Sequence, residues 1–337
     1  MKLANFQDVF FQNSSNPPTT KKNPQLVLLT GARGMLGHGL AVTMQKMQEI
    51  GLLKEMKLIL SSRNWSEEAK KFWECSHSIE LITNDQITKQ KMSPDLVIHT
   101  ASPSNFTKIK TLEELLQVNL GMTNEILSLT PKRMVFISSG EVYGGTSSSE
   151  NRITRNLSPL MNRNWYPIAK IATENRLIEN QDRLNTSVAI IRLFHTFGPG
   201  VKSDDGRSFA DIVWAAAKGK DIVLYSAGTQ KRTFLYLADA IDAILKVAFT
   251  DQVDNEIYNL GSTEPYTIAE FAQIAADLVG VSVTFERNSE YIHSNIDAIV
   301  PQINNIYELG WHPQIDLKAG LSATIDWASR SNGTKTD

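Results

Sequence analysis

Tyr166 and Lys170 stand four residues apart in a stretch that reads as helix, so the phenol and the ammonium share one face. A free phenol ionises near pH 10, and acid–base work at neutral pH needs a shift of about three units, or roughly 4 kcal/mol. An ammonium beside it supplies part of that shift by favouring the phenolate. Tyr-x-x-x-Lys is common by chance, and Tyr143 competes for the part. The pair gains weight from Ser139, which follows the strand-like run Met134–Ile137, and from a glycine turn far upstream. That turn, Thr30-Gly-Ala-Arg-Gly-Met-Leu-Gly37, follows the apolar run Leu26–Leu29 and precedes an apolar segment from Leu40 to Ile50. A buried strand, a glycine turn and a helix start in that order make an anion site, where backbone N–H groups and the helix dipole face a pyrophosphate. Gly31, Arg33, Gly34, Met35, Leu36 and Gly37 are therefore expected on a dinucleotide. The spacing is Gly-x-x-Gly-x-x-Gly rather than Gly-x-Gly-x-x-Gly.

The elements that must position these residues alternate. Strands are expected at 57–60, 79–82, 95–98, 134–137 and 187–191, and helices at 38–50, 65–74, 111–129 and 165–181. Such alternation predicts an α/β fold with a doubly wound parallel sheet, whose ligands gather at the carboxyl ends of the strands. Ser61-Ser62-Arg63 ends the second strand, where an acid would bind a ribose 2′-hydroxyl and an arginine suits a 2′-phosphate. With Arg33 nearby, NADP(H) is expected ahead of NAD(H). Asp85 closes the third strand, where a carboxylate could accept from an adenine amine or simply shape a turn. His99-Thr100-Ala101-Ser102 follows the fourth strand; Ala101 leaves room for the cofactor, Ser102 is a candidate for the substrate, and His99 reads as structural.

The chain has 337 residues, enough for one large domain or two intimate ones. A formal net charge of −2 gives no argument for nucleic acid, and no apolar run approaches the ~20 residues of a membrane span. One cysteine, Cys75, excludes an internal disulfide framework and fits a reducing cytoplasm. No signal peptide and no metal site are expected. Residues 1–23 read as a lead-in, with Phe6, Phe10 and Phe11 free to pack elsewhere.

These motifs in combination resemble the extended short-chain dehydrogenase/reductase family, the epimerases, dehydratases and reductases of nucleotide sugars. The resemblance covers residue 25 to about 328 and adds Asp95-Leu-Val-Ile-His-Thr-Ala101, Val118-Asn119, Ser138-Ser-Gly-Glu-Val-Tyr-Gly144 and Arg192-Leu-Phe-His-Thr-Phe-Gly-Pro199. Further on come Arg232-Thr-Phe-Leu-Tyr-Leu-Ala-Asp-Ala240, Tyr258-Asn-Leu-Gly261 and Leu309-Gly-Trp-His-Pro313. It implies a Rossmann-type domain over 24–193 and about 231–262, with a smaller nucleotide-sugar domain from about 194–230 and 263–337. It also implies that Ser139 holds the sugar oxygen, Tyr166 exchanges its proton, and Lys170 binds the nicotinamide ribose. Asn119 would steady the helix behind the lysine, and Arg232 would grip the nucleotide diphosphate. A homodimer through helices 111–129 and 165–181 is the family expectation.

Departures from the family pattern narrow the reaction. Gly140 stands where 4,6-dehydratases carry an aspartate, which removes the acid for a leaving hydroxyl. Glu141 is kept, as in members resembling uronate decarboxylases. His195 replaces the usual asparagine and resembles deoxysugar ketoreductases, and the arginine pair resembles NADP-using reductases. The expectation is an NADP(H)-dependent reductase of a nucleotide-linked 4-keto-6-deoxy sugar, with Tyr166 protonating the alkoxide and Glu141 and His195 lining the sugar pocket. A nucleotide-sugar 4-epimerase with NAD comes next, then a uronate decarboxylase, which would need an arginine near the sugar carboxylate. Arg207 and Arg232 are available but unplaced by sequence. A catalytically silent dinucleotide-binding scaffold is the rival outside enzymes. Tyr225 could stack on the base, and Arg152, Arg155 and Arg163 lie in a loop that reads as solvated.

Overall fold

The computed structural model describes residues 24–53, 55–74, 76, 78–102, 109, 111–144, 165–250, 256–286 and 298–331. The first half runs β1 (Leu26–Thr30), α1 (Met35–Glu49), β2 (Lys57–Ser62), α2 (Glu67–Trp73), β3 (Ile79–Thr83), β4 (Leu96–His99), α3 (Leu112–Ser128), β5 (Arg133–Ser139), α4 (Trp165–Leu184), β6 (Ser187–Leu193) and β7 (Thr196–Phe197). It continues with α5 (Ser208–Ala217), β8 (Ile222–Leu224), β9 (Lys231–Thr233), β10 (Leu235–Tyr236), α6 (Leu237–Phe249), β11 (Ile257–Leu260), β12 (Pro265–Thr267), α7 (Ile268–Val279), β13 (Val283–Phe285), β14 (Ala298–Ile299), α8 (Asn304–Glu308) and α9 (Leu317–Ser331).

Seven strands pair in the order β11-β6-β5-β4-β1-β2-β3, every neighbour parallel. The six strands expected from sequence are all present. The seventh, β11, extends the edge beside β6, with Ile257 opposite Ile190. Near-continuous apolar runs such as Val27-Leu-Leu29 and Leu96-Val-Ile98 are buried on both faces because helices cover both. One face packs β1, β2 and β4 against α1 and α6, through residues such as Leu40, Val42, Leu60, Ile98 and Ile244. The other joins Leu28, Ile59, Val97 and Phe136 to α3 and α4 through Ile126 and Leu177. Local signals set the helix starts: Thr111 caps α3 by accepting from Glu114 N at 3.1 Å, and Thr267 with Glu270 forms a capping box on α7. Helix α1 begins at Met35, three residues before the expected 38, because Gly34 already serves as its N-cap.

A separate apolar cluster joins α5, α7 and α9, with Phe197, Phe234, Tyr236 and Phe271 at its centre. The rings of Phe234 and Phe271 lie 4.3 Å apart. Short ladders bind this part: β13 with β8, β10 with β7, and β9 between β12 and β14. Residues 231–233 therefore share a sheet with later strands, and the chain returns to the large sheet only with α6. The return is anchored by Asp239, whose carboxylate accepts from Gln314 N and Ile315 N, each at 3.0 Å. The backbone oxygen of Asp239 accepts from the Trp311 indole at 3.2 Å. Removing that carboxylate orphans two amides. Asp239→Ala should cost about 2 kcal/mol in a urea melt, with Asp239→Asn between it and the native chain.

Candidate active site

The order of strand addition reverses between β1 and β4, and the carboxyl ends of these parallel strands open the crevice where an open α/β sheet binds ligands. At its floor Gly31 has φ +73°, and a Cβ there would lie 2.6 Å from Thr100 Oγ1 and 2.8 Å from Ala101 N. A Cβ on Gly37 would run into the Gly31 carbonyl. The two glycines thus let the turn fold against the end of β4. Gly34 caps α1 without a side-chain hydrogen bond, and no acid stands in the first turn. The first amides of α1 and the positive helix end therefore suit an anion such as a pyrophosphate.

Around that cradle, Arg33 and Arg63 are both exposed, and Arg33 donates to Asn64 O at 3.2 Å and to its side-chain oxygen. Ser61, at the end of β2, donates to Asn84 at 2.7 Å. Asp85 sits at the expected place after β3, with its carboxylate exposed and engaged by Lys89 at 2.7 Å and Thr83 at 2.6 Å. Ala101 borders Gly31. Ser102, expected on substrate, donates to Asn119 Oδ1 at 3.1 Å, while Asn119 Nδ2 donates to Leu115 O at 2.9 Å. Asn119 is thereby committed to the helix and to the β4 loop. His99 accepts from Thr30 at Nδ1, 2.7 Å, and lies 3.4 Å from Thr123 Oγ1 at Nε2. Thr123 spends its own proton on Asn119 O, so Nε2 carries the histidine proton. Burial, with Lys170 adding to it, lowers His99 to about 3, and it acts as a neutral clamp.

Tyr166, in the first turn of α4, is hydrogen-bonded to Ser139 at the end of β5. Lys170 follows one turn on, 2 % exposed, with Nζ donating to Ile137 O at 2.8 Å. Its Nζ lies 4.7 Å from the Phe136 ring centre and 5.6 Å from that of Tyr166. Burial and the nearby Glu141 charge push the Tyr166 phenol above its ordinary value, against the pull of Ser139 and Arg207. Burial brings Lys170 down to about 7, with Glu174 opposing it. Tyr143, the competing tyrosine, is buried, accepts from Arg192 at 2.9 Å and donates to Asn259 at 2.8 Å. Its hydroxyl is thus spent on the fold.

Beyond the triad lies a charged pocket. Glu141 has solvent access, and its backbone N–H donates to Ser139 Oγ at 3.2 Å. Enclosure by protein raises its carboxyl, and Arg207 and Arg232 pull the other way. Arg232 is buried on β9 and donates to Lys231 O at 2.7 Å. Arg207, at the start of α5, is half-exposed and forks Asp205, with Nη2 to Oδ2 at 2.8 Å. His195 is held near 3, chiefly by burial and then by the two arginines, and among the described residues its Nδ1 has no hydrogen-bond partner. Gly140 has no room for the missing acid, since a Cβ there would come within 2.7 Å of the Phe194 ring. Tyr225 is exposed at the end of β8. Arg152, Arg155, Arg163, Cys75 and the lead-in lie outside the described residues. Sequence reasoning left Arg207 unplaced and did not find the Glu174–Arg192 pair, whose only signal is a glutamate four residues after Lys170.

The sequence model of the NAD dependent epimerase/dehydratase family matches residues 27–261. The chain belongs to that family. Among curated members it is 26 % identical to UDP-glucuronic acid decarboxylase 1 of Xenopus tropicalis, over 97 % of this chain and 77 % of that one. It is 25 % identical to UDP-glucuronic acid decarboxylase 6 of Arabidopsis thaliana, over 92 % and 94 %. The fold matches that of UDP-glucuronic acid 4-epimerase from Bacillus cereus, solved with UDP-glucuronic acid and NAD, at a TM-score of 0.76 and 20 % identity over 90 % of this chain and 99 % of that one. It also matches UDP-glucose 4-epimerase from Thermotoga maritima, at 0.73 and 18 % over 91 % and 99 %. Membership makes the chain an enzyme of the extended short-chain dehydrogenase/reductase kind, with the Rossmann-like α/β fold anticipated from its alternating elements. Among the described residues no helix is long and apolar enough to cross a membrane.

If the glycine turn is the pyrophosphate cradle, Gly37→Ala should weaken NAD binding at least about tenfold in calorimetry, because the turn must open to admit the methyl group.

Proposed function

We propose that this chain oxidises a nucleotide-linked hexuronate at C4, releases its carboxyl group as carbon dioxide and returns the hydrogen to C4 of the product, so that NAD is cycled in place. The observation that carries this reading is the pocket itself: Glu141 beside Tyr166 and Ser139, with Arg207 and Arg232 on the same cleft. The curated relatives named as UDP-glucuronic acid decarboxylases support it. The 4-ketoreductase expected from sequence has less support, since a neutral 4-keto-6-deoxy sugar gives two guanidinium groups nothing to hold beyond the diphosphate.

When bound, the oxidised dinucleotide supplies the acceptor for the hydrogen at C4 and a positive charge near the phenol. Tyr166 takes the proton of the C4 hydroxyl, and Ser139 holds that oxygen in line. Lys170, when charged, stabilises the phenolate. One guanidinium grips the diphosphate and the other the sugar carboxylate, where an arginine fork matches two oxygens. A 4-keto uronate is a β-keto acid, so loss of carbon dioxide leaves an enolate that needs a proton at C5. Glu141, with its carboxyl raised by enclosure, is placed to give it. His195, uncharged throughout the working range, offers its Nδ1 to the sugar.

Arg33 and Arg63 favour a second reading. Both are exposed near the end of β2, and Ser61 and Ser62 stand where an acid would read a ribose 2′-hydroxyl. This is the NADP(H)-dependent reductase. The two readings separate in one experiment: the purified chain is given UDP-glucuronate, then NADPH with nucleotide-linked 4-keto-6-deoxyhexoses. Carbon dioxide from the first, with no net change in dinucleotide absorbance, is the expected outcome. A C4 epimer without carbon dioxide would make the chain an epimerase, and NADPH oxidation would restore the reductase. Arg207→Ala should raise KM for the uronate about tenfold or more while leaving UDP-glucose binding within about twofold.

The same reading includes a homodimer through α3 and α4, where Val118 and Ile178 are 48 % and 43 % exposed. Light scattering should give twice the chain mass; a monomer would overturn this part.

A further inference from the structure

Glu174 lies one turn beyond Lys170 on the same face of α4, and both are buried. Arg192 on β6 forks its carboxylate, Nε to Oε1 at 3.1 Å and Nη2 to Oε2 at 2.7 Å. Ser138 on β5 donates its hydroxyl to the same Oε1. The free Nη1 of Arg192 donates to the Tyr143 hydroxyl, which donates to Asn259 on β11, whose amide donates to Gln302 O at 3.0 Å. The carboxylate is therefore fixed from two strands directly and from a third through Tyr143. A buried ion pair is a weak source of stability, since apolar side chains of like volume do as well or better. Its position next to the lysine of the triad gives it another use.

We propose that Glu174 is a positioning residue for Lys170: fixed by Arg192 and Ser138, its carboxylate keeps the lysine ammonium charged and seated beneath Tyr166. The proposal rests on the Tyr166–Lys170 chemistry proposed above. From α4 itself Lys170 faces the Tyr166 ring and feels the charge of Glu174 one turn on. From β5 it meets the Phe136 ring and the Ile137 carbonyl, from β4 the neutral His99, and from β6 Arg192 through Glu174. The carboxylate of Glu174 opposes the pull of burial on Lys170.

The test reads the lysine directly. In the full chain labelled at lysine ε-carbons, an NMR titration assigned with Lys170→Met should place Lys170 near neutrality. In Glu174→Gln it should titrate lower by about one pH unit or more. The unpaired guanidinium left in that variant is removed in Glu174→Gln/Arg192→Met, which should regain thermal stability and keep the downward shift; it carries the same readout if the single variant does not fold. Ser138→Ala retains the carboxylate and its Arg192 fork, and should lose stability while moving the lysine much less than Glu174→Gln does. A native Lys170 titration in the double variant, or an equal shift in Ser138→Ala, would overturn the proposal. Because the titration needs no substrate, its outcome is separate from the sugar the enzyme uses. With substrate in hand, the alkaline limb of kcat should move down by the same amount in the double variant.

Discussion

An ammonium group buried at the carboxyl end of a parallel sheet is the constraint that the rest of this structure serves. Lys170 would give up its proton readily in such a place, and burial brings it down to about 7 even against the pull of Glu174. Everything around it offsets that tendency: a strand carbonyl accepts from Nζ, aromatic faces lie within reach, and a fixed carboxylate stands one turn away. His99 contributes by staying neutral, with its proton locked on Nε2 by Thr30 and Thr123. A charged imidazole there would repel the lysine.

The fold supplies this arrangement through topology. Strand order reverses beside β1, so the ends of β1, β4 and β5 converge with the starts of α1 and α4. The glycine turn, the small residues after β4 and the Ser139 end of β5 thus border one crevice although they are far apart in sequence. The second group of elements closes the crevice from the side. β9 brings Arg232, and the start of α5 brings Arg207, opposite Glu141.

Much of this was legible in the sequence. Apolar runs punctuated by glycine located the first six strands, and Tyr166, Lys170 and Ser139 announced themselves by spacing. What could not be read was anything set by pairing between distant segments. Asp85 and Ser102 have the residue types of ligand contacts, yet the chain supplies partners for them in Lys89 and Asn119. Arg207 is one of many arginines until β7 and α5 fold it over the cleft. The Glu174–Arg192 pair is invisible because an acid in the middle of an amphipathic helix normally faces water, and only the packing of α4 on β5 and β6 turns this one inward.

Gly140 and Phe194 fill one volume between them, the ring occupying the space where a side chain at 140 would begin. The two positions are therefore coupled in packing. An acid introduced at 140 alone meets the ring, and a smaller residue at 194 alone leaves a void against Tyr143 and Val142. Each single step passes through a less stable protein, and only the pair of changes restores packing.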